Sequence, residues 1–164
     1  CTAVLTRFPL PEHLLYGLMR SESFFRPTVV STAGAVGLTQ LMPATAAETA
    51  RGLGLVDYDI TKPADNILIG ASHFSWLLKS NGGNLLNSIF AYNAGSGRLR
   101  QWKKDSPNLP SDLFLESLSI AETRQYGRNV VSAALAYAAL NGLDARKELR
   151  TFLGEQPADG SGGN

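Results

Sequence analysis

Cysteine is all but missing from this 164-residue chain, with Cys1 the sole example. An internal disulfide is therefore excluded. The two histidines, His13 and His73, fall on separate predicted helices without ligand spacing, so no zinc site, other metal or cofactor is expected. Charge of one sign is lacking too. A balance of 15 basic against 14 acidic residues leaves a net charge of +1. Polyanion binders carry a clear basic excess, so nucleic acid is not an expected partner. No apolar run approaches the ~20 residues of a membrane span. No signal-peptide pattern opens the chain, which reads as mature sequence or as part of a longer protein. So little cysteine leaves the compartment open. Cys1 has two readings: the lipidated cysteine of an outer-membrane lipoprotein, or a residue at which the chain was simply cut. The missing flexible spacer before the folded pattern weighs toward the second.

What is present suits one soluble domain. Hydrophobic residues make up 44% and charged residues 18%, an ordinary globular balance in a chain long enough for a sizeable core. The helical period recurs and strand alternation hardly appears. Pro11 opens a first helix, with Glu12 in its first turn and Leu14, Leu15, Leu18 and Met19 on its apolar face. Pro27 restricts Arg26, so this helix should end near Phe24 or Phe25. The loop "STAGAVGLTQLM" follows, with Gly34 and Gly37 as permissive points.

Pro43 starts a helix that runs to Gly52. "ADNILIGASHFSWLLKS" puts Ile67, Gly70, Ala71, Phe74, Leu77 and Leu78 on one helical face. "NLLNSIFAYNAG" stops at Gly95, and "SGRLRQWKK" makes a short helix. Ser111 caps a short segment with Leu113, Phe114 and Glu116. Ser119 and Glu122 have capping-box spacing before a long helix to Leu140. Asp144 caps a last helix to about Phe152. Residues 155–164 carry no apolar payload and read as a disordered tail. The expectation is an all-α, compact domain over residues 1–154, with about seven to eight helices.

One carboxylate is out of keeping with its helix. Glu22 lies seven residues after Leu15, four after Leu18 and three after Met19, which puts it on the apolar stripe. Desolvation there favours the neutral acid and raises the pKa, as a general acid requires. The alternative is a helix-end glutamate that reaches water or meets Arg26. Tyr92 repeats the pattern, seven after Leu85 and three after Ile89; it is a core tyrosine with a bonded hydroxyl or a cleft residue. Gln40 is a ligand-facing amide or an ordinary loop residue. Glu122 has its capping box, and Glu116 a solvated face, as the plain explanation. The histidines read as satisfied or exposed.

Four segments in order carry more than any one alone: "RSESFFRP", "STAGAVGLTQLMPATA", "AYNAG" and "ESLSIAETRQY". Across roughly residues 10–140 they resemble the catalytic domain of the soluble lytic transglycosylases, the SLT family, with its goose-type lysozyme-like fold. The resemblance implies a periplasmic enzyme acting on peptidoglycan glycan strands. It implies cleavage of the β-1,4 bond between N-acetylmuramic acid and N-acetylglucosamine without water, leaving a 1,6-anhydromuramyl end. It implies a catalytic Glu22, followed by the family's usual serine as Ser23. It also implies cleft contacts from Ser31, Gln40, Met42, Tyr92, Asn93, Glu116, Glu122 and Tyr126. Thr39 stands where the family has methionine, a proline before "ETR" is missing near Ser119, and Gly127 replaces a common valine. These departures bear on the shape of the cleft.

Most glycosidases need two carboxylates. Asp57, Asp59 and Asp65 are the acids of the middle stretch, and none has an evident place beside Glu22. A single glutamate suffices if it acts first as acid and then as base while the substrate's N-acetyl group serves as nucleophile. In that scheme Tyr92 hydrogen-bonds near Glu22 or the N-acetyl group. Two rivals share the fold: a hydrolytic goose-type lysozyme and a non-catalytic peptidoglycan-binding module. A monomer, as part of a longer chain, is expected.

Overall fold

A computed structural model describes residues 2–107, 109, 110, 113, 114, 117, 118 and 120–154. The expectations for Cys1, Ser111, Glu116, Ser119 and the tail 155–164 lie outside the described residues. Among those described there are eight helices and no strand: α1 (Thr2–Arg7), α2 (Glu12–Ser23), α3 (Pro43–Gly52), α4 (Pro63–Ser80), α5 (Leu85–Ala94), α6 (Ser96–Asp105), α7 (Ala121–Leu140) and α8 (Ala145–Leu153).

The first of these was not foreseen. Six residues carry little helical signal. Its stability comes from packing, since Val4, Leu5 and the following Phe8 lie against the main core. Helix α2 stops at Ser23 because Phe24 and Phe25 turn left-handed, with φ of 53° and 58°. Phe24 N–H bonds the Arg20 carbonyl and Phe25 N–H that of Met19, which closes the helix end before Pro27 can act. Gly34 and Gly37 do take positive φ. Helix α7 corrects a second expectation. It begins at Ala121 with Ile120 at its N-cap and no side-chain cap, so Glu122 is an exposed first-turn acid and not half of a capping box.

The main core packs Leu14, Leu15, Leu18 and Met19 of α2 against Phe74, Ile89, Val130, Ala134 and Phe152. Each fully buried leucine contributes about 2 kcal/mol of apolar transfer. The most extensive helix pair is α2 with α7. Gly17 lets them approach: a Cβ there would meet the Val130 carbonyl oxygen at 2.7 Å and Ala134 Cβ at 2.9 Å. A second cluster joins Leu77, Phe90, Leu99, Trp102 and Phe114. A third joins Leu41, Ala46, Ala50 and Ile69 under the loop 29–42. This loop makes α4 bury two faces, so Asn66 and Ile69 are covered while Ile67 and Leu78 are only partly so. Asp144 caps α8 as expected, its carboxylate accepting from Arg146 and Lys147 N–H at 2.8 and 3.3 Å.

Candidate active site

Glu22 occupies the last turn of α2, on the stripe of Leu15, Leu18 and Met19, each of which is buried. Its own side chain is half-buried, surrounded by protein yet still in reach of solvent. Burial pushes its carboxyl up from an ordinary 4.5 to about 7. A hydrogen bond from Tyr126 Oη to Glu22 Oε1, at 2.5 Å, pulls in the opposite direction. Arg26 does not pair with it: its Nε donates to the Ser23 carbonyl at 3.2 Å.

Tyr126 reaches Glu22 from the second turn of α7, across the close contact at Gly17. Burial holds its phenol well above the usual tyrosine range. The neighbouring Glu22 charge, the bond to Glu22 and the charge of Tyr92 add to this. It therefore stays protonated and remains a donor. Tyr92, on α5, was expected to approach Glu22 or the substrate through its hydroxyl. Instead that hydroxyl donates to the Thr39 carbonyl at 2.7 Å. Burial first, and then the Glu22 charge, raise its pKa. Tyr92 thus borders Glu22 but spends its proton on the loop, and the phenol that holds the carboxyl is Tyr126.

The loop 29–42 is fixed from inside. Ser31 Oγ accepts from Ala35 N–H at 3.0 Å, and Val36 and Leu41 exchange backbone bonds of 2.9 and 3.0 Å. Gln40 sits at φ 48° and gives its amide N–H groups to the Val29 and Gly37 carbonyls, at 3.1 and 2.9 Å. Its donors therefore brace the loop. Met42 is the exposed N-cap residue of α3. Thr39 is fully buried: its N–H and Oγ1 both donate to Asn66 Oδ1 at 2.8 Å. Asn66 Nδ2 in turn donates to the Val36 and Ile60 carbonyls, at 2.9 Å each. Ser23 Oγ lies 2.9 Å from the Leu38 carbonyl and 3.0 Å from that of Met19, joining the loop to the helix turn that carries Glu22.

Of the residues expected at a cleft, Glu22, Tyr92 and Tyr126 come together under this loop. Asn93 is exposed and accepts from Thr123 Oγ1 at 3.0 Å, tying α5 to α7. Glu122 is exposed at the start of α7, and Glu116 lies outside the described residues. The acids of the middle stretch are turn residues. Asp59 Oδ1 accepts from Thr61 N–H and Oγ1 at 2.9 and 2.6 Å, and Asp65 Oδ2 from Asp59 N–H at 2.9 Å. Sequence reasoning missed Asn66, and it read Thr39 only as a departure from the family pattern, not as the partner of Asn66. The available signal was a polar amide three residues before Ile69 and four before Gly70, on a helix otherwise apolar at those positions.

A family model described as the transglycosylase SLT domain matches residues 3–115. The chain belongs to that family. The match ends before α7, so the helix that brings Tyr126 to Glu22 lies beyond it. A soluble lytic murein transglycosylase of Escherichia coli K12 is 35% identical over 153 residues, which cover 90% of this chain and 22% of that one. A membrane-bound lytic murein transglycosylase C of Haemophilus influenzae is 33% identical over 104 residues, or 56% of this chain and 29% of its own. The 70 kDa soluble lytic transglycosylase structure from Escherichia coli superposes with a TM-score of 0.85 at 31% identity, covering 95% of this chain and 27% of that one. An inactive mutant of Slt from Pseudomonas aeruginosa gives 0.82 at 36%, covering 88% and 24%. This SLT domain is thus a lysozyme-like helical domain that spans about a quarter of the relatives it matches.

Proposed function

We propose that this SLT domain, residues 1–154, is the catalytic part of a longer peptidoglycan lytic transglycosylase. It would act as a monomer on glycan strands in the periplasm and need no cofactor. The observation that carries the reading is the Glu22 carboxyl, buried enough to titrate at about 7 and held by the Tyr126 hydroxyl. Near neutral pH such a group is present both as acid and as base, which a single-carboxylate mechanism requires.

In the first step protonated Glu22 gives its proton to the glycosidic oxygen between N-acetylmuramic acid and N-acetylglucosamine. The C1–O bond breaks, and the muramyl acetamido oxygen closes on C1. Glu22, now a carboxylate, takes the proton from the C6 hydroxyl. O6 bonds to C1 as the acetamido oxygen leaves, giving the 1,6-anhydro end without water. Tyr126 occupies Oε1, so Oε2 is the oxygen that moves the proton. Ring closure is intramolecular, so the fixed loop 29–42 matters by holding the sugar in the reactive pose. Ser31, Gln40, Met42, Tyr92, Asn93, Glu116, Glu122 and Tyr126 are assigned to substrate binding on the strength of the motifs they occupy. The relatives' names include soluble and membrane-bound murein transglycosylases, which supports the cell-wall setting. No helix among the described residues is long and apolar enough to cross a membrane.

The test is mass spectrometry of products released from purified sacculi. Wild type should release 1,6-anhydromuramyl fragments, and Glu22→Gln should release about 100-fold less or lower. Reducing muramic ends would make the protein a goose-type hydrolase. Binding without release, unchanged by Glu22→Gln, would make it a binding module.

A further inference from the structure

Helix α4 carries an aromatic pair that the reaction above does not use. His73 and Trp76 are three residues apart, hence neighbours on one helical face. Their rings stack with centroids 6.0 Å apart and planes 17° from parallel. Trp76 is 57% exposed, whereas Trp102, the only other tryptophan, is 7% exposed. Opposite the pair, α3 brings Glu48, Thr49 and Gly52. Together with Ser72 and Leu53 these residues enclose a cavity of about 350 Å³. Gly52 is an exposed residue of that lining, and a Cβ there would meet nothing within 4 Å. Trp76 also borders a second cavity of about 750 Å³, beside Phe8 and Lys79. On its inner side His73 lies 5.5 Å, centroid to centroid, from Tyr92, which borders Glu22.

A flat aromatic face beside a carboxylate and hydroxyls is the chemistry that holds a sugar. The apolar C–H face of a pyranose would cover the ring, with its hydroxyls in reach of the Glu48 carboxylate and of the Thr49 and Ser72 hydroxyls. We propose that Trp76, His73 and Glu48 form an accessory aminosugar-binding site, at which a glycan strand lies before or after the bond cleaved at Glu22. The proposal rests on the function given above and names a remote contact for the same substrate. Burial holds the His73 imidazole below its ordinary pKa, partly offset by the Glu48 charge, so a neutral ring faces the tryptophan at neutral pH. Binding energy gathered at such a distance serves long strands and is lost on short ones.

The test uses calorimetry with Glu22→Gln protein, which binds without turning over, and peptide-free glycan strands of several disaccharides. Adding Trp76→Ala should weaken binding about tenfold, and Trp76→Phe should regain most of it. A single disaccharide should bind all three proteins alike. In Trp76-containing protein the strands should also shift tryptophan emission, because Trp102 is buried. Unchanged affinity in Trp76→Ala overturns the site, as does failure of the parent to bind strands at all. Weakening confined to peptide-bearing fragments overturns it in favour of a stem-peptide site. None of these results depends on whether the products are anhydro or reducing ends. A failed digest and a failed accessory site are therefore told apart.

Discussion

Glu22 and Tyr126 oppose each other in one pKa. Burial raises the carboxyl to about 7, and the phenol's hydrogen bond lowers it. Tyr126→Phe keeps the burial and removes the bond, so the Glu22 pKa should rise further. The free enzyme must hold the acid form, so kcat/KM should fall as pH climbs through about 7 in wild type. In Tyr126→Phe that limb should move to higher pH, as a pH–rate profile would record; an unmoved limb would remove Tyr126 from the tuning. The same shift makes a stability prediction. The folded state binds the Glu22 proton more tightly than the unfolded chain does, so stability falls as pH rises from about 4.5 through about 7. Glu22→Gln abolishes that loss. The variant should melt higher than wild type at pH 8, with the gap closing toward pH 4.

That carboxylate was legible in the sequence because a period of 3.6 fixes which face it takes. Its partner was less so. Tyr92 and Tyr126 both lie on the motifs, but no spacing rule says which phenol crosses to another helix. The answer depends on how α2 and α7 meet. It depends also on Thr39, whose carbonyl accepts the hydrogen bond from the Tyr92 hydroxyl.

At the scale of elements, two close contacts hold the site in register. Gly17→Ala would set a Cβ 2.7 Å from the Val130 oxygen, forcing α2 from α7. The expected cost is about 1–3 kcal/mol in denaturant unfolding. Activity should be lost as well, because Tyr126 would retreat from Glu22. Asn66 is the other. It serves Thr39, Val36 and Ile60 at once, so Asn66→Ala should cost about 3 kcal/mol or more and loosen the loop 29–42. Proteolysis cutting first within residues 29–42 would report the loosening. Helices α3 to α6 were readable because prolines, Asn84 and Gly95 punctuate them. Short α1 was not, and the capping-box reading of α7 failed because Ile120 takes the cap position.

For the whole molecule, the boundary near residue 154 can be checked by truncation. Removing residues 155–164 takes away no large apolar side chain and should leave the melting temperature unchanged. Removing α8 as well uncovers the core around Phe152, which is 1% exposed and meets His13 edge-on, with ring centroids 6.0 Å apart. That variant should lose about 3 kcal/mol or more.

The hydrogen bond from Tyr126 to Glu22 joins positions 104 residues apart. During synthesis the carboxyl emerges long before the phenol and before the helix that walls it in. A growing chain therefore carries Glu22 as an ordinary acid, ionised at neutral pH and unable to protonate a glycoside. The proton-donating form would then arrive only once α7, residues 121–140, has been made. A fragment ending at residue 120 should titrate Glu22 near 4.5 and release nothing from sacculi. An active fragment of that length would end this account of timing.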